Sequence, residues 1–229
     1  MRTLAVVPAR GGSQRVPQKN LARLQGRTLV RRALETALAA RCFATIALSS
    51  DDDAILAEAA GLDVTVVQRP EELATGTARA FDAVLHALGV LEGEGRYDAV
   101  AVVQATSPFT APEDLAGAVR LLEDTGAESV VSVVRLEAAL HPAKLKVLAP
   151  DGRLLPYAED DALTPSHELP PLWVRNGSIY LSRRDVLDRG LLVSDRDVRG
   201  YEMPAERSFD IDTPRDLALA EVLLAGDVD

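Results

Sequence analysis

Five short runs constrain this chain most: Leu4–Val7, Thr45–Leu48, Val64–Val67, Ala99–Val103 and Val130–Val134. They are rich in β-branched and small apolar residues and show little polar alternation. A strand with one face in water alternates apolar and polar residues; a strand buried on both faces reads as a near-continuous apolar run. Helix-type segments lie between them. Thr28–Ala40 places apolar residues at 29, 30, 33, 34, 37 and 38, one helical face. Asp51–Ala60 begins with acids, as a helix N-terminus favours. Ala78–Leu91 is a third helix. Pro112–Thr125 is a fourth, with proline in its first turn and Gly126 just beyond. Both-face-apolar strands separated by helices predict an α/β fold, a mostly parallel sheet covered by helices on both faces.

After about residue 137 the rhythm changes. Lys144–Leu148, a turn over Ala149–Gly152 and Arg153–Leu155 read as a hairpin. Residues 156–171 carry prolines at 156, 165, 170 and 171 and read as irregular. Gly177–Leu181 returns as a strand. Thr213, Pro214 and Asp216 open a last helix to about Leu224, with Thr213 as cap. The expectation is one domain over 1–229 with an inserted β-rich arm at about 137–172.

Charge is distributed unevenly. The chain has net charge −10, yet its first 34 residues hold eight Lys or Arg and no acid. An acidic chain with one basic segment argues against nucleic-acid binding and for a small polyanion such as a nucleoside triphosphate. Arg23, Arg27, Arg31 and Arg32 read as a solvated helix face. Lacking an apolar run of about 18 residues, and with 1–30 unlike a signal peptide, the chain is expected off the membrane and in the cytoplasm. The lone Cys42 suits a reducing compartment and reads as apolar filler.

In an open parallel sheet, ligands bind beyond the carboxyl ends of the strands. After the first strand comes Ala9-Arg10-Gly11-Gly12-Ser13, followed by Arg15 and Lys19. It is neither a P-loop nor Gly-x-Gly-x-x-Gly, but exposed amides and arginine suit phosphate oxygens. After Val103 comes Gln104-Ala105-Thr106-Ser107-Pro108, which places an amide and two hydroxyls at a strand end; it reads equally as a helix lead-in. In Phe209-Asp210-Ile211-Asp212, alternate residues share a face, so both carboxylates point one way and can hold Mg²⁺. The alternative is that Asp212 helps to cap the last helix. His86, His141 and His167 show no metal-ligand spacing.

Four motifs occur in order: the Pro8–Asn20 stretch, Gln104–Pro108, Arg175-Asn176-Gly177-Ser178-Ile179-Tyr180, and Asp210–Leu217. From Leu4 to Leu224 the chain resembles the acylneuraminate cytidylyltransferases, the CMP-sialic acid synthetase family. The related CMP-Kdo synthetases carry a differently worded first loop. The resemblance implies a Rossmann-like nucleotidyltransferase domain, a homodimer formed through the inserted arm, and Mg²⁺-dependent transfer of CMP from CTP to an acidic sugar. It implies that Arg10, Gly11, Gly12, Ser13, Arg15, Lys19, Asn20 and Arg69 meet the nucleotide. Gln104, Thr106, Ser107, Asn176 and Tyr180 would meet the acceptor, Tyr180 alternatively packing in the core. Asp210 and Asp212 would bind the metal, with Arg10, Lys19 and Asp212 as catalytic residues.

Three departures from the pattern stand out. Gln14 replaces a lysine. Gly76 stands where an aspartate is common, Arg79 and Ala80 where hydroxyls are common, and Thr110 where an arginine is common. They leave open another anionic acceptor (a different keto acid sugar or a phosphonate) or another nucleotide. A non-catalytic nucleotide-binding regulator is the further alternative, against which Arg10, Lys19, Asp210 and Asp212 argue.

Overall fold

A computed structural model describes residues 1–13, 16–75, 78–157 and 165–226. In chain order come β1 (Thr3–Pro8), β2 (Arg23–Leu24), β3 (Arg27–Thr28), α1 (Leu29–Ala40), β4 (Thr45–Ser50), α2 (Asp53–Leu56) and β5 (Thr65–Gln68). Then follow α3 (Ala80–Leu91), β6 (Ala99–Val103), α4 (Pro112–Thr125), β7 (Ser129–Arg135) and the short strands β8 (Lys146–Leu148) and β9 (Leu154–Pro156). The chain closes with β10 (Trp173–Arg183), α5 (Arg184–Asp188), β11 (Val198–Glu202) and α6 (Pro214–Gly226).

Seven strands form one sheet in the order β11-β7-β10-β6-β1-β4-β5. Every pairing is parallel except those of β10, which runs antiparallel to β6 and β7. The core explains why. In β1, Ala5 and Val7 face α1 and α4, while Leu4 and Val6 face α3. In β6, Ala99, Ala101 and Val103 face the first side, Val100 and Val102 the second. All are buried. With both faces apolar, the strands need helices on both sides, and crossover helices enforce parallel neighbours. Each fully buried Val or Leu contributes ~1.5–3 kcal/mol.

Local signals place the helices. Thr28 Oγ1 accepts from the Arg31 amide at 3.2 Å, capping α1. Asp52 accepts from Ala54 and Ile55 at 2.8 and 3.4 Å, so α2 begins after Asp52 and is shorter than expected. Thr213 and Asp216 form a reciprocal cap on α6: Asp216 accepts from the Thr213 amide at 2.7 Å, and the Asp216 amide donates to Thr213 Oγ1 at 3.3 Å.

Three expectations need correction. The Gly177–Leu181 strand is longer, because β10 runs on through a register shift between Arg175 and Tyr180. Gly177 sits at φ 83 there, a left-handed conformation that favours glycine and marks the irregularity. Residues 198–202 form β11, with no apolar run to announce an edge strand. The early arginines are not one solvated helix face: Arg23 and Arg27 lie on the β2–β3 hairpin. Arg31 Nη1 donates to the Glu58 and Ala60 carbonyls at 2.7 and 2.8 Å. The β8–β9 hairpin forms where expected, as a sheet of its own; residues 158–164 of the expected arm lie outside the described residues.

Candidate active site

From β1 the sheet grows through β4 to β5 on one side and through β6 on the other. This reversal opens a crevice at the carboxyl ends of β1 and β6. A cleft of about 520 Å³ lies there. Arg10, Ser13, Lys19 and Asn20 line it from the loop after β1. Arg69 lines it from the end of β5, Gln104 and Thr106 from the end of β6, and Asp212 from the stretch before α6. Four segments separated by up to about 200 residues thus bring their polar residues together.

The first loop is held from three sides. The Ala9 amide donates to the Ser49 carbonyl at 2.9 Å, continuing the β1–β4 pairing. The Gly11 amide donates to Asp51 Oδ1 at 3.1 Å. A Cβ on Gly11 would stand 2.7 Å from Asp52 Oδ2, so the close approach of loop and cap demands glycine. Buried Asn20 donates through Nδ2 to the Arg10 carbonyl at 2.9 Å. Arg10 Nη1 donates to the Thr75 carbonyl at 2.9 Å. Gly12 has open space where its side chain would be. Arg15 and Gln14 lie outside the described residues, as does Gly76.

Arg69 is 6% exposed and donates to Ser49 O and Ser49 Oγ at 2.6 and 3.2 Å. Burial lowers its pKa, offset by the Asp51 carboxylate. Across the cleft, Lys19 Nζ donates to the Ile211 carbonyl at 2.7 Å and to Asp212 Oδ1 at 3.3 Å. Ile211 is fully buried, and the Phe209 ring meets Phe109 edge-on at 5.7 Å. Asp212 lines the cleft, whereas Asp210 is exposed and is not among the cleft's lining residues. The Ile211 amide donates to the Thr106 carbonyl at 2.8 Å, joining the β6 loop to the carboxylate stretch. Asp210 remains in contact with solvent. Its carboxyl is nevertheless pushed above the ordinary aspartate range, first by partial desolvation and then by Asp212; a hydrogen bond with Thr106 and the Lys19 charge oppose this. Because Thr213 and Asp216 make the α6 cap, it does not require the Asp212 side chain.

Ser107, Asn176 and Tyr180 stand elsewhere. None of the three lines the cleft. Ser107 lines a separate small cavity beside α1. Asn176 accepts from Ser132 Oγ at 2.6 Å and donates to Ser208 Oγ at 2.9 Å, supporting the approach to Asp210. Tyr180 packs against the core on the α3 face.

The cytidylyltransferase family model matches residues 4–225. The chain belongs to the cytidylyltransferase family. It is 34% identical over 228 residues to the CMP-N,N'-diacetyllegionaminic acid synthase of Legionella pneumophila, covering 98% of this chain and 97% of that one. It is 30% identical over 224 residues to N-acylneuraminate cytidylyltransferase A of Danio rerio, covering 95% of this chain and 49% of that one. The chain therefore spans about half the length of the N-acylneuraminate cytidylyltransferases it matches. Its fold is similar to that of a solved CMP:2-keto-3-deoxy-manno-octonic acid synthetase (TM-score 0.74, 20% identity, 100% of both chains). It also resembles a 4-diphosphocytidyl-2C-methyl-D-erythritol synthase from Anaerococcus prevotii (TM-score 0.68, 14% identity, 98% of both).

Sequence reasoning did not number two features of this nucleotidyltransferase among its site residues. Arg79 lines the cleft, its guanidinium 2.9 Å from Asp82 Oδ1 and 5.8 Å from the Phe81 ring centre. Behind the carboxylate stretch, Arg207 donates through Nε and Nη2 to fully buried Asp114, both at 2.8 Å. The sequence signal for the first is its departure from the family wording. For the second the sequence carried no signal; in the structure Asp114 also accepts from the Ala111 amide at 2.9 Å.

Proposed function

We propose that this cytidylyltransferase transfers CMP from CTP to the anomeric hydroxyl of a sialic-acid-like 2-keto sugar acid, releasing pyrophosphate. One observation carries the reading: Arg10, Lys19, Arg69, Gln104, Thr106 and Asp212 line one cleft, Lys19 being hydrogen-bonded to Asp212. The names of its relatives, a CMP-N,N'-diacetyllegionaminic acid synthase and N-acylneuraminate cytidylyltransferases, support the acceptor class.

In this reading Arg10, Ser13, Lys19 and the Gly12 amide hold the triphosphate, Gly11 shapes the loop through its bond to Asp51, and Asn20 and Arg69 hold the nucleoside end. Gln104 and Thr106 orient the sugar; Ser107 and Asn176 support their loops. The sugar oxygen attacks the α-phosphorus in line, the bond to the β-phosphate oxygen breaks, and its electron pair leaves with pyrophosphate. The hydroxyl proton is released to water. Arg10 and Lys19 face the charge that grows on the leaving group, and positioning supplies most of the acceleration.

Asp210 and Asp212 fit a divalent cation such as Mg²⁺, which takes one or two carboxylates and completes its coordination with phosphates and water. No cage of three or more His, Cys, Asp or Glu occurs among the described residues, so the donor set suits a metal shared with substrate. When bound, the ion supplies charge neutralisation across the phosphates. Arg79 at the cleft and Thr110 in the loop after β6 keep a second reading: a different anionic acceptor or another nucleotide.

Pyrophosphate release across four nucleoside triphosphates and a panel of sialic-type, other keto-sugar and phosphonate acids tests the reading. Turnover only with CTP and a sialic-type acid is expected; no turnover with any sialic-type acid refutes that acceptor. Replacing Asp212 by Asn should lower turnover by at least about 100-fold, as loss of an electrostatic group at the reacting centre does, with the fold intact. Normal Mg²⁺-supported turnover in that variant would remove Asp212 from the metal site.

The cytoplasmic placement and the homodimer belong to the same proposal. No helix among the described residues is long and apolar enough to cross a membrane. The β8–β9 hairpin and the start of β10 expose Leu148, Leu154, Trp173 and Val174, which supports an arm at about 137–172 that meets a second copy. Sedimentation should give a dimer that Leu148→Asp weakens; a monomer at all concentrations refutes it.

A further inference from the structure

Behind the Gln104–Pro108 loop, on the side away from the cleft, Arg32 of α1 and Ser107 line the same small cavity together with Thr36 and Thr110. Its volume, counted as space open to the centre of a water, is about 10 Å³, which is one water's worth. Two buried polar atoms of these residues have no partner, the Arg32 Nε and the Ser107 Oγ. Arg32 commits one other nitrogen, Nη2, to the Leu24 carbonyl at 3.2 Å. Ser107 is 3% exposed. An N–H and a hydroxyl left unpaired in the interior are strongly penalised. The two residues that carry these groups, from different elements, line one water-sized space, which can supply them a common partner.

We propose that Arg32 is a positioning residue for the active-site loop, acting through a water bound between its Nε–H and the Ser107 hydroxyl. The water accepts from Nε and donates to Ser107 Oγ. Its second hydrogen can reach Thr110 Oγ1, which already donates to the Ser107 carbonyl at 3.0 Å and retains acceptor capacity. The other side of this loop meets the carboxylates: the Thr106 carbonyl accepts from the Ile211 amide at 2.8 Å, and Thr106 bonds Asp210. A loop braced on both sides holds Gln104 and Thr106 at fixed depth in the cleft. Burial lowers the Arg32 pKa, as desolvation of its guanidinium should.

The catalytic consequence rests on the proposed function; the water does not. Amide hydrogen exchange is therefore followed without substrate in wild type, Arg32→Met, Ser107→Ala and the double variant. The Ser107 and Thr110 amides, bonded to Gln104 O and Ser107 O, report on the loop. Each single change should speed their exchange by roughly three- to tenfold, the size of one net hydrogen bond. The amides of β4 should be unchanged and the double variant no faster than the faster single. Additive acceleration, or none, overturns the bridge. So does a high-resolution crystal structure without density between Arg32 Nε and Ser107 Oγ. In turnover, both variants should raise the KM for a sialic-type acid with the CTP KM unchanged, and Arg32→Lys should restore part of the loss. An unchanged acceptor KM refutes the positioning role. If no sialic-type acid turns over at all, the acceptor reading fails while exchange and density still judge the water.

Discussion

Replacing Arg207 by Met removes one half of the ion pair behind the Asp210–Asp212 stretch. Asp114 has no exposed surface, and besides its two 2.8 Å bonds from Arg207 it accepts from the Ala111 amide at 2.9 Å and lies 3.5 Å from Tyr201 Oη. Truncating one partner of a buried pair costs ~3–5 kcal/mol, because a carboxylate is left in the interior without its cation. Arg207 keeps 33% of its side-chain exposure, so water can reach the vacated space. The expected loss is therefore lower, about 2–4 kcal/mol. At ~2–4 °C per kcal/mol for a chain of this length, calorimetry should show a fall in Tm of roughly 5–15 °C. Asp114→Asn and the double variant complete a cycle in which the two losses should not add. Arg207 lies three positions before Asp210, so the Mg²⁺ concentration needed for half-maximal turnover at the proposed metal site should also rise. A Tm within about 2 °C of wild type would show the pair to be worth no more than a surface contact, and the reasoning would fail.

Gly11→Ala should destabilise by ~1–3 kcal/mol through overpacking, because the new methyl meets the carboxylate that caps α2. It should also raise the CTP KM about tenfold or more, the effect of misplaced binding groups; a KM within twofold of wild type refutes the close-approach argument. Burial pushes the Cys42 thiol up to about 11, so alkylation should be slow at pH 8 and accelerate only as pH approaches that value. Fast labelling at pH 8 would contradict its packing. The Asp216 carboxyl is held below the ordinary range, first by the Asp212 amide and then by Thr213. A depressed native pKa means that the unfolded chain binds the proton first. The cap's contribution is therefore full above about pH 4 and is lost as pH falls through the lower native value. The Tm gap between wild type and Asp216→Ala should be constant near neutrality and close in acid; a gap that widens in acid reverses the sign.

The strands with two apolar faces determined the covered parallel sheet, because no other arrangement hides both faces of Leu4–Val7 and Ala99–Val103. Periodicity likewise announced the helix after Thr28, and local chemistry the one after Thr213, where a side-chain oxygen meets a free amide within one turn. Such signals act over a few residues, and the order of residues carries them. The antiparallel entry of β10 and the edge strand β11 were not legible, since neither has a pattern distinct from its surroundings. The loop motifs identified Arg10, Lys19, Gln104 and Asp212 as candidates, but not which side chains face the cleft. Ser107 reads like Thr106 in sequence, yet Thr106 lines the cleft and Ser107 the cavity beside Arg32. Arg32 reads like its solvated neighbours until the fold lays α1 behind that loop. The Asp114–Arg207 pair spans 93 positions and has no sequence period at all. What the sequence determined by itself was the pattern of burial and the local caps. Which charged groups meet across the molecule was decided by the tertiary structure alone, because contacts between distant segments depend on how the sheet orders its strands.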